Sequence, residues 1–301
     1  MAVIYYNKSD ELPRIEDQSL KLLYACKSSN EQTAAIPTAF HAHDSHLEIQ
    51  FISEGSAKIY INNKMYKARK GDIVVYNAGA LHDESIDDKQ GMWFYNFGIK
   101  DFKVPGLPDN HLIPFDTVPV IHTGNMSDTV QAIFHEIYDQ ISKDKTSAST
   151  ICHHLLCALF VIIIDQIPHA KFSRIDDEEY SFQQSKKYID EHFTENISIE
   201  MLSSISHMSV SGFAHQFKKF LGMAPLQYII RRRIGLAQRL LVRTDKSITD
   251  ISMEIGYDNV SHFNNQFKRF VGTSPQNYRK LWVGNEQFKN LNHIYNNLMK
   301  L

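Results

Sequence analysis

A twenty-residue segment of this chain occurs twice. Residues 209–228 (SVSGFAHQFKKFLGMAPLQY) return at a constant offset of fifty positions as 259–278 (NVSHFNNQFKRFVGTSPQNY). The identities held in register include Phe213/Phe263, Gln216/Gln266, Phe217/Phe267, Lys218/Lys268, Phe220/Phe270, Gly222/Gly272, Pro225/Pro275 and Tyr228/Tyr278. A solenoid needs about three or more repeats to bury a continuous core, so two copies specify a paired module instead.

Each copy reads as a helix-turn-helix. In the first, Ile199, Leu202 and Ile205 follow a capping Ser198, the chain turns around 206–208, and Ser209 caps a second helix. In the second, Ile248, Ile251 and Ile255 precede a turn at 256–258 and a cap at Asn259, and Ser247 with Asp250 has the form of a capping box with Asp in place of Glu. Phe213, Phe217 and Phe220, like Phe263, Phe267 and Phe270, fall at i, i+4, i+7 and are assigned to the core. The opposite face carries Ser211, Ala214 and His215 in one copy and Ser261, Asn264 and Asn265 in the other. Such short side chains near a helix N-terminus reach base edges, while Lys218 and Lys268, with the cap residues Ser209 and Asn259, suit phosphates.

Between the copies, residues 226–243 form one helical pattern of about 27 Å, near the roughly 34 Å between successive major grooves on one DNA face. Arg231 and Arg232 on that helix are further phosphate candidates; the alternative is a solvated basic face. Charge by region points the same way. Residues 186–283 hold 14 Lys and Arg against 8 Asp and Glu, whereas residues 1–185 hold 16 against 25, so the net charge of -2 hides a basic module joined to an acidic one.

On these residues the C-terminal hundred positions resemble the DNA-binding domain of the AraC/XylS family of bacterial transcription regulators. The resemblance covers both helix-turn-helix units, the joining helix, Ile255-Gly256-Tyr257 and the ending Phe267-Lys268-Arg269-Phe270 … Gly272-Thr273-Ser274-Pro275 … Tyr278-Arg279. It implies base contacts from the exposed face of each second helix. Ala214 has no hydrogen-bonding side chain, so the first unit is left with a thymine-methyl contact or a role in affinity.

The N-terminal part reads as β-rich. Alternation in Leu47–Phe51, Ala57–Ile61, Ile73–Tyr76 and Trp93–Phe97 has period two, and Asn62-Asn63 and Lys70-Gly71 punctuate it as turns, the pattern of a sandwich or small barrel. Across it run His41-Ala42-His43, Glu48 and Gly55, then Gly71, Asn77, Gly79 and His82, a spacing similar to the two cupin motifs, with Asn77 in place of the proline and Ile86 in place of the closing Asn. That similarity implies an effector-sensing domain. Its matching positions His41, His43, Glu48 and His82 offer a donor set for a divalent metal, or line a polar pocket; His46 has no motif support. Tyr76, Trp93 and Tyr95 complete an expected effector pocket, because flat aromatic faces suit a sugar ring.

Residues 127–141 and 147–167 read as two helices packed on the barrel or on a second subunit, the apolar run 155–164 being too short to cross a bilayer. The resemblance implies that they form a homodimer interface. The stretch 173–180, with Asp176-Asp177-Glu178-Glu179, reads as an acidic linker. Cys26, Cys152 and Cys157 make no CxxC pair and the start lacks a signal-peptide pattern, so a cytoplasmic chain with reduced thiols is expected.

The expected architecture is therefore α+β with two domains: a cupin-like β-barrel over 1–120, a helical linker and dimerisation region over 121–180, an all-α tandem helix-turn-helix over 181–283, and a tail over 284–301. The expected function is sequence-specific regulation of transcription. Double-stranded DNA is the partner, a sugar-type effector of carbohydrate genes the ligand, and RNA polymerase a further contact of an activator. A metal-responsive regulator is the alternative; a cupin-type metalloenzyme is the least favoured reading, because binding DNA is itself a complete function.

Overall fold

The computed structural model describes residues 20–29, 41–43, 45–85, 92–143, 146–167 and 177–283. Its strands are β1 (Lys21–Ser29), β2 (Leu47–Glu54), β3 (Ser56–Ile61), β4 (Lys64–Arg69), β5 (Asp72–Tyr76), β6 (His82–Ser85), β7 (Trp93–Lys100) and β8 (Val120–His122). They form a five-stranded sheet in the order β1-β7-β2-β5-β8 and a three-stranded sheet in the order β4-β3-β6, with antiparallel pairing throughout. The β3–β4 turn is the expected Asn62-Asn63 pair, with φ of 47° and 62°, the double left-handed conformation of a two-residue hairpin.

Strand β2 is buried along nearly its whole length because both faces of the large sheet are covered. Leu47, Ile49 and Phe51 of β2, Ile73 and Val75 of β5, and Tyr95, Phe97 and Ile99 of β7 form the outer face. That face packs on two helices, α1 (Ser127–Ser142) and α2 (Ala148–Asp165), through Phe134, Ile137, Leu156, Phe160 and Ile163. The opposite parity, Ile52, Val74, Tyr76 and Phe94, faces the small sheet and packs with Ala57, Ile59 and Ile61. Among the described residues α2 is the one helix long and apolar enough to cross a membrane, longer than the apolar run suggested; its apolar side is accounted for by this core.

The remaining helices are α3 (Asp177–His192), α4 (Ile199–Ile205), α5 (Val210–Leu221), α6 (Pro225–Arg243), α7 (Ile248–Glu254), α8 (Val260–Val271) and α9 (Pro275–Val283). The acidic stretch expected as a linker is helical from Asp177 onward, and residues 173–176 lie outside the described ones, as does the tail 284–301. Helices α4 and α5, with α3 and the first turns of α6, share one core containing Phe182, Leu202, Phe213, Phe217 and Tyr228. Helices α7, α8 and α9 close a second core with the later turns of α6 around Ile251, Phe263, Phe267 and Tyr278. Phe213, Phe217, Phe263 and Phe267 are thus interior, while Phe220 and Phe270 are half-buried against the edges of the two cores.

Caps occur where the residue types place them. Ser198 Oγ accepts from Met201 N at 3.1 Å, Ser209 Oγ from Gly212 N at 3.1 Å, and Asn259 Oδ1 from His262 N at 3.0 Å. The Ser247–Asp250 capping box is closed in both directions. Gly222 (φ 67°) and Gly272 (φ 82°) end α5 and α8 in the left-handed conformation that a side chain would strain.

Candidate nucleic-acid interface and effector site

Helices α5 and α8 are the second helices of the two units. Ser211, His215 and Lys218 are exposed on α5 with Ala214 half-buried; Ser261, Asn265 and Lys268 are exposed on α8 with Asn264 half-buried. Each expected base-contacting set therefore lies together on the face opposite its phenylalanines. Capping occupies one acceptor of Ser209 and of Asn259, leaving the hydroxyl proton and the amide NH2 to donate outward.

Sequence reasoning missed His262. It is exposed in the first turn of α8, and its Nε2 lies 3.2 Å from Gln266 Nε2. The first copy has Gly212 there, and a comparison that looks for identities passes over the position where the copies differ.

The arginines of α6 depart from expectation. Arg232 is buried, its Nη1 donating to Asp190 Oδ1 at 2.8 Å, and therefore cannot face a phosphate. Arg231 is half-buried, with Nη2 3.3 Å from Asn63 Oδ1 and its guanidinium 5.4 Å from the Phe270 ring, a bridge between the β3–β4 hairpin and the second unit. Helical charge spacing could not reveal Asp190 or Asn63, both distant in sequence.

In the N-terminal domain the structure assembles the histidines. His41 and His82 exchange backbone hydrogen bonds at 2.9 and 2.8 Å, and their rings lie 4.2 Å apart. The His43 ring is 5.1 Å from His41, 5.5 Å from His82 and 4.5 Å from His46, while Tyr76 stacks on His82 at 4.1 Å. Donor atoms of His41, His43 and His82 lie within 4.8 Å of one another, as do those of His43, His46 and Glu48. His46, which no motif supported, belongs to the cluster because the turn into β2 brings it beside His43.

Glu48 sits among them, fully enclosed. Its Oε1 accepts from Asn96 Nδ2 at 2.9 Å and its Oε2 from the Tyr24 hydroxyl; His43 Nε2 is 3.0 Å from Oε2 and His82 Nε2 is 3.8 Å from Oε1. Burial opposes ionisation, but the His43 imidazole, helped by His82 and His41, holds this carboxyl well below the usual range. His82 is pushed down to about 4, first by burial and then against the attraction of Glu48; His46 also falls to about 4, by burial and by the neighbouring His43. Both are neutral near pH 7. Among the described residues the buried Nε2 atoms of His46 and His82 have no hydrogen-bond partner.

Two expected pocket residues lie elsewhere. Tyr95 is on the outer face, its hydroxyl 3.2 Å from His135 Nδ1 of α1, and Lys27 Nζ covers both Trp93 and Tyr95 at 5.7 and 5.4 Å. Period two makes residues 93 and 95 share a face but does not say which face is the interior. Phe94 and Asn96 have the inward parity. Asn77, standing for the cupin proline, pins the neighbouring loop: its Oδ1 accepts from Leu112 N at 2.9 Å and its Nδ2 donates to Ile113 O at 2.7 Å.

Tandem helix-turn-helix units with polar exposed second helices, joined to an antiparallel β-domain with a buried donor cluster, define a DNA-binding transcription regulator with a ligand-binding domain. Comparison with known proteins agrees. Residues 202–281 match the family description "Helix-turn-helix domain" and residues 31–160 match "AraC-like ligand binding domain". The HTH-type transcriptional regulator YdiP of Escherichia coli is 29% identical over 253 residues, covering 83% of this chain and 82% of its own. A regulator of Staphylococcus aureus strain MSSA476 is 27% identical over 214 residues; the match takes in 70% of this chain and only 28% of that longer protein. The crystal structure of ToxT from Vibrio cholerae O395 aligns over 89% of this chain and 99% of its own with TM-score 0.55 at 12% identity, a likeness of fold. This chain belongs to the AraC-type family of helix-turn-helix transcription regulators, whose members are not enzymes.

Proposed function

We propose that this regulator responds to a divalent transition-metal ion taken at the histidine cluster, and that α5 and α8 read two successive major-groove segments of its operator. The observation that supports the ion is the convergence of donor atoms of His41, His43 and His82, within 4.8 Å of one another and beside one carboxylate, with the buried Nε2 of His82 unbonded among the described residues. Buried polar nitrogens without partners are costly, and neutral imidazoles are ligands for zinc, copper, nickel and iron. His41, His43 and His82 would hold such an ion with His46 at the side. Glu48, already engaged by Tyr24 and Asn96, orients His43 and supplies the compensating charge. The bound ion would supply fixed positive charge and a rigid link among these side chains.

A sugar-type effector has less support, because Trp93 and Tyr95 lie on the far face of the sheet and of the three aromatics only Tyr76 stands at the cluster, stacked on His82.

The test is selection of bound DNA from a random library with full-length protein, with and without EDTA and with a sugar pool, alongside elemental analysis of protein purified without chelator or nickel resin. The expected result is stoichiometric metal and an enriched motif with two segments about one helical turn apart, altered by EDTA. A motif altered by a sugar and indifferent to EDTA would return the effector to the sugar class, and no enriched motif would remove the assignment of the two recognition helices.

A further inference from the structure

The histidine cluster and the first helix-turn-helix unit share the same two backbone segments. In extended chain, successive side chains point to opposite sides. His41 and His43 enter the cluster, while Ala42 between them packs against the first-unit core. His82 enters the cluster, while Leu81 before it is fully buried among residues such as Phe182, Phe213 and Phe217. The paired hydrogen bonds between His41 and His82 fasten these segments into one wall, with donors on one side and the DNA-binding unit on the other.

The loop leading into His82 has the same double attachment. Gly79 N donates to His43 O at 2.8 Å, and Gly79 O lies 3.3 Å from the Tyr228 hydroxyl of α6. That hydroxyl also donates to Asp190 Oδ1 at 2.6 Å, within a buried group where Lys186 and Arg232 donate to the same carboxylate at 2.6 and 2.8 Å. The seat is tight: a Cβ on Gly79, whose φ is +70°, would lie 2.5 Å from Lys186 Nζ. Farther along the seam, Asn62 Oδ1 accepts from Leu81 N at 3.1 Å, and Asn63 Nδ2 donates to Gly222 O at the end of α5 at 3.0 Å. By contrast, among the described residues the core of the second unit contains none from the β-domain.

We infer that the His41–His43 segment and the Gly79–His82 loop transmit occupancy of the histidine cluster to the first DNA-binding unit, so that ligand at the cluster and DNA on α5 are thermodynamically linked through Leu81 and the Tyr228–Gly79 contact. The inference rests on the effector reading above, because it takes that cluster as the site of binding. Drawing the donor atoms of His43 and His82 together moves backbone that Leu81 and Gly79 share, and a close-packed core responds to such a shift by re-seating. Linkage is reciprocal: whatever factor the ligand imposes on DNA affinity, DNA imposes on ligand affinity.

The experiment uses full-length protein, zinc chloride as the ligand probe and the duplex enriched by the selection above. Zinc affinity is read by competition with a chromophoric chelator, duplex affinity by fluorescence anisotropy with and without zinc, and backbone protection by hydrogen exchange. In the unsubstituted protein zinc changes duplex affinity about tenfold, the duplex changes zinc affinity by the same factor, and protection rises at 77–82 and along α5. In Tyr228→Phe and Leu81→Ala zinc affinity without DNA stays within about twofold, while its effect on the duplex falls below about threefold. Tyr228→Phe removes only a hydroxyl and serves if Leu81→Ala does not fold. A full effect surviving in Tyr228→Phe would overturn the coupling route and leave the effector reading standing, whereas zinc bound with no change in duplex affinity would overturn the coupling and leave only the metal site. Absence of zinc binding by the unsubstituted protein would overturn both.

Discussion

His215 and Asn265 occupy the same place in the two recognition helices, both exposed, and their chemistry separates the units. An asparagine amide can donate and accept toward one adenine edge, whereas an imidazole offers one directed contact. Asn265→Ala is therefore expected to relax preference at one operator position by about 1–3 kcal/mol, measured by sequence profiling of the bound DNA. Uniform loss on every sequence would mark a backbone contact instead. Lys218→Ala and Lys268→Ala should each lower the slope of log affinity against log salt by about one, with preference intact, and an unchanged slope would take them off the phosphate face. In the β-domain, Glu48→Gln keeps the side-chain shape and removes the charge between His43 and His82; chelator competition should show zinc affinity falling about 10–100-fold. Unaltered affinity would exclude the carboxylate from the site.

At the scale of elements, what could be read from the chain is what is decided locally. Caps at Ser198, Ser209, Ser247 and Asn259, the two phenylalanine stripes and the Asn62-Asn63 turn are all set within a few residues, and all stand where periodicity put them. Period two finds β2, β3, β5 and β7 but cannot orient them, so it does not reveal that Trp93 and Tyr95 face away from the histidine cluster. Strands β1, β6 and β8 escape because partners distant in sequence, not an alternating pattern of their own, complete them, and β4 because the charged Lys64, Lys67 and Arg69 mask it although its partner β3 lies just across the Asn62-Asn63 turn. The glycines closing α5 and α8 show how equal sequence signals acquire unequal structural weight. A Cβ on Gly272 would meet nothing within 4 Å, so Gly272→Ala carries only the left-handed strain, about 1 kcal/mol. At Gly222 the same Cβ would lie 3.2 Å from Asn62 O in the β3–β4 hairpin. Gly222→Ala should therefore lower the melting temperature further than Gly272→Ala and reduce hydrogen-exchange protection in residues 62–64; equal shifts with unchanged protection would mean that the hairpin yields freely.

Across the whole molecule the β-domain grips the first unit, and the first unit in turn grips the second. The latter joint is at Gly256, whose φ is +90° and where a Cβ would lie 2.2 Å from Thr194 O in the loop after α3. Arg233 closes it, with Nε donating to Phe193 O at 2.6 Å, Nη1 to Gly256 O at 2.7 Å and Nη2 to Glu195 O at 2.7 Å. Helix α6 alone would leave the second unit free to roll about the rod; this close backbone approach sets the angle between α5 and α8. Gly256→Ala should force the joint open without touching either recognition face. If the fixed angle is what lets both helices bind at once, affinity for the two-segment operator falls about 100-fold as the gain from simultaneous engagement is lost. Binding to a duplex with a single segment stays within about twofold, and the optimum spacing between segments broadens. Anisotropy titrations on the two duplexes distinguish this from general damage, since a mutant that merely misfolds loses both affinities together, and an unchanged two-segment affinity would mean that α6 by itself sets the geometry.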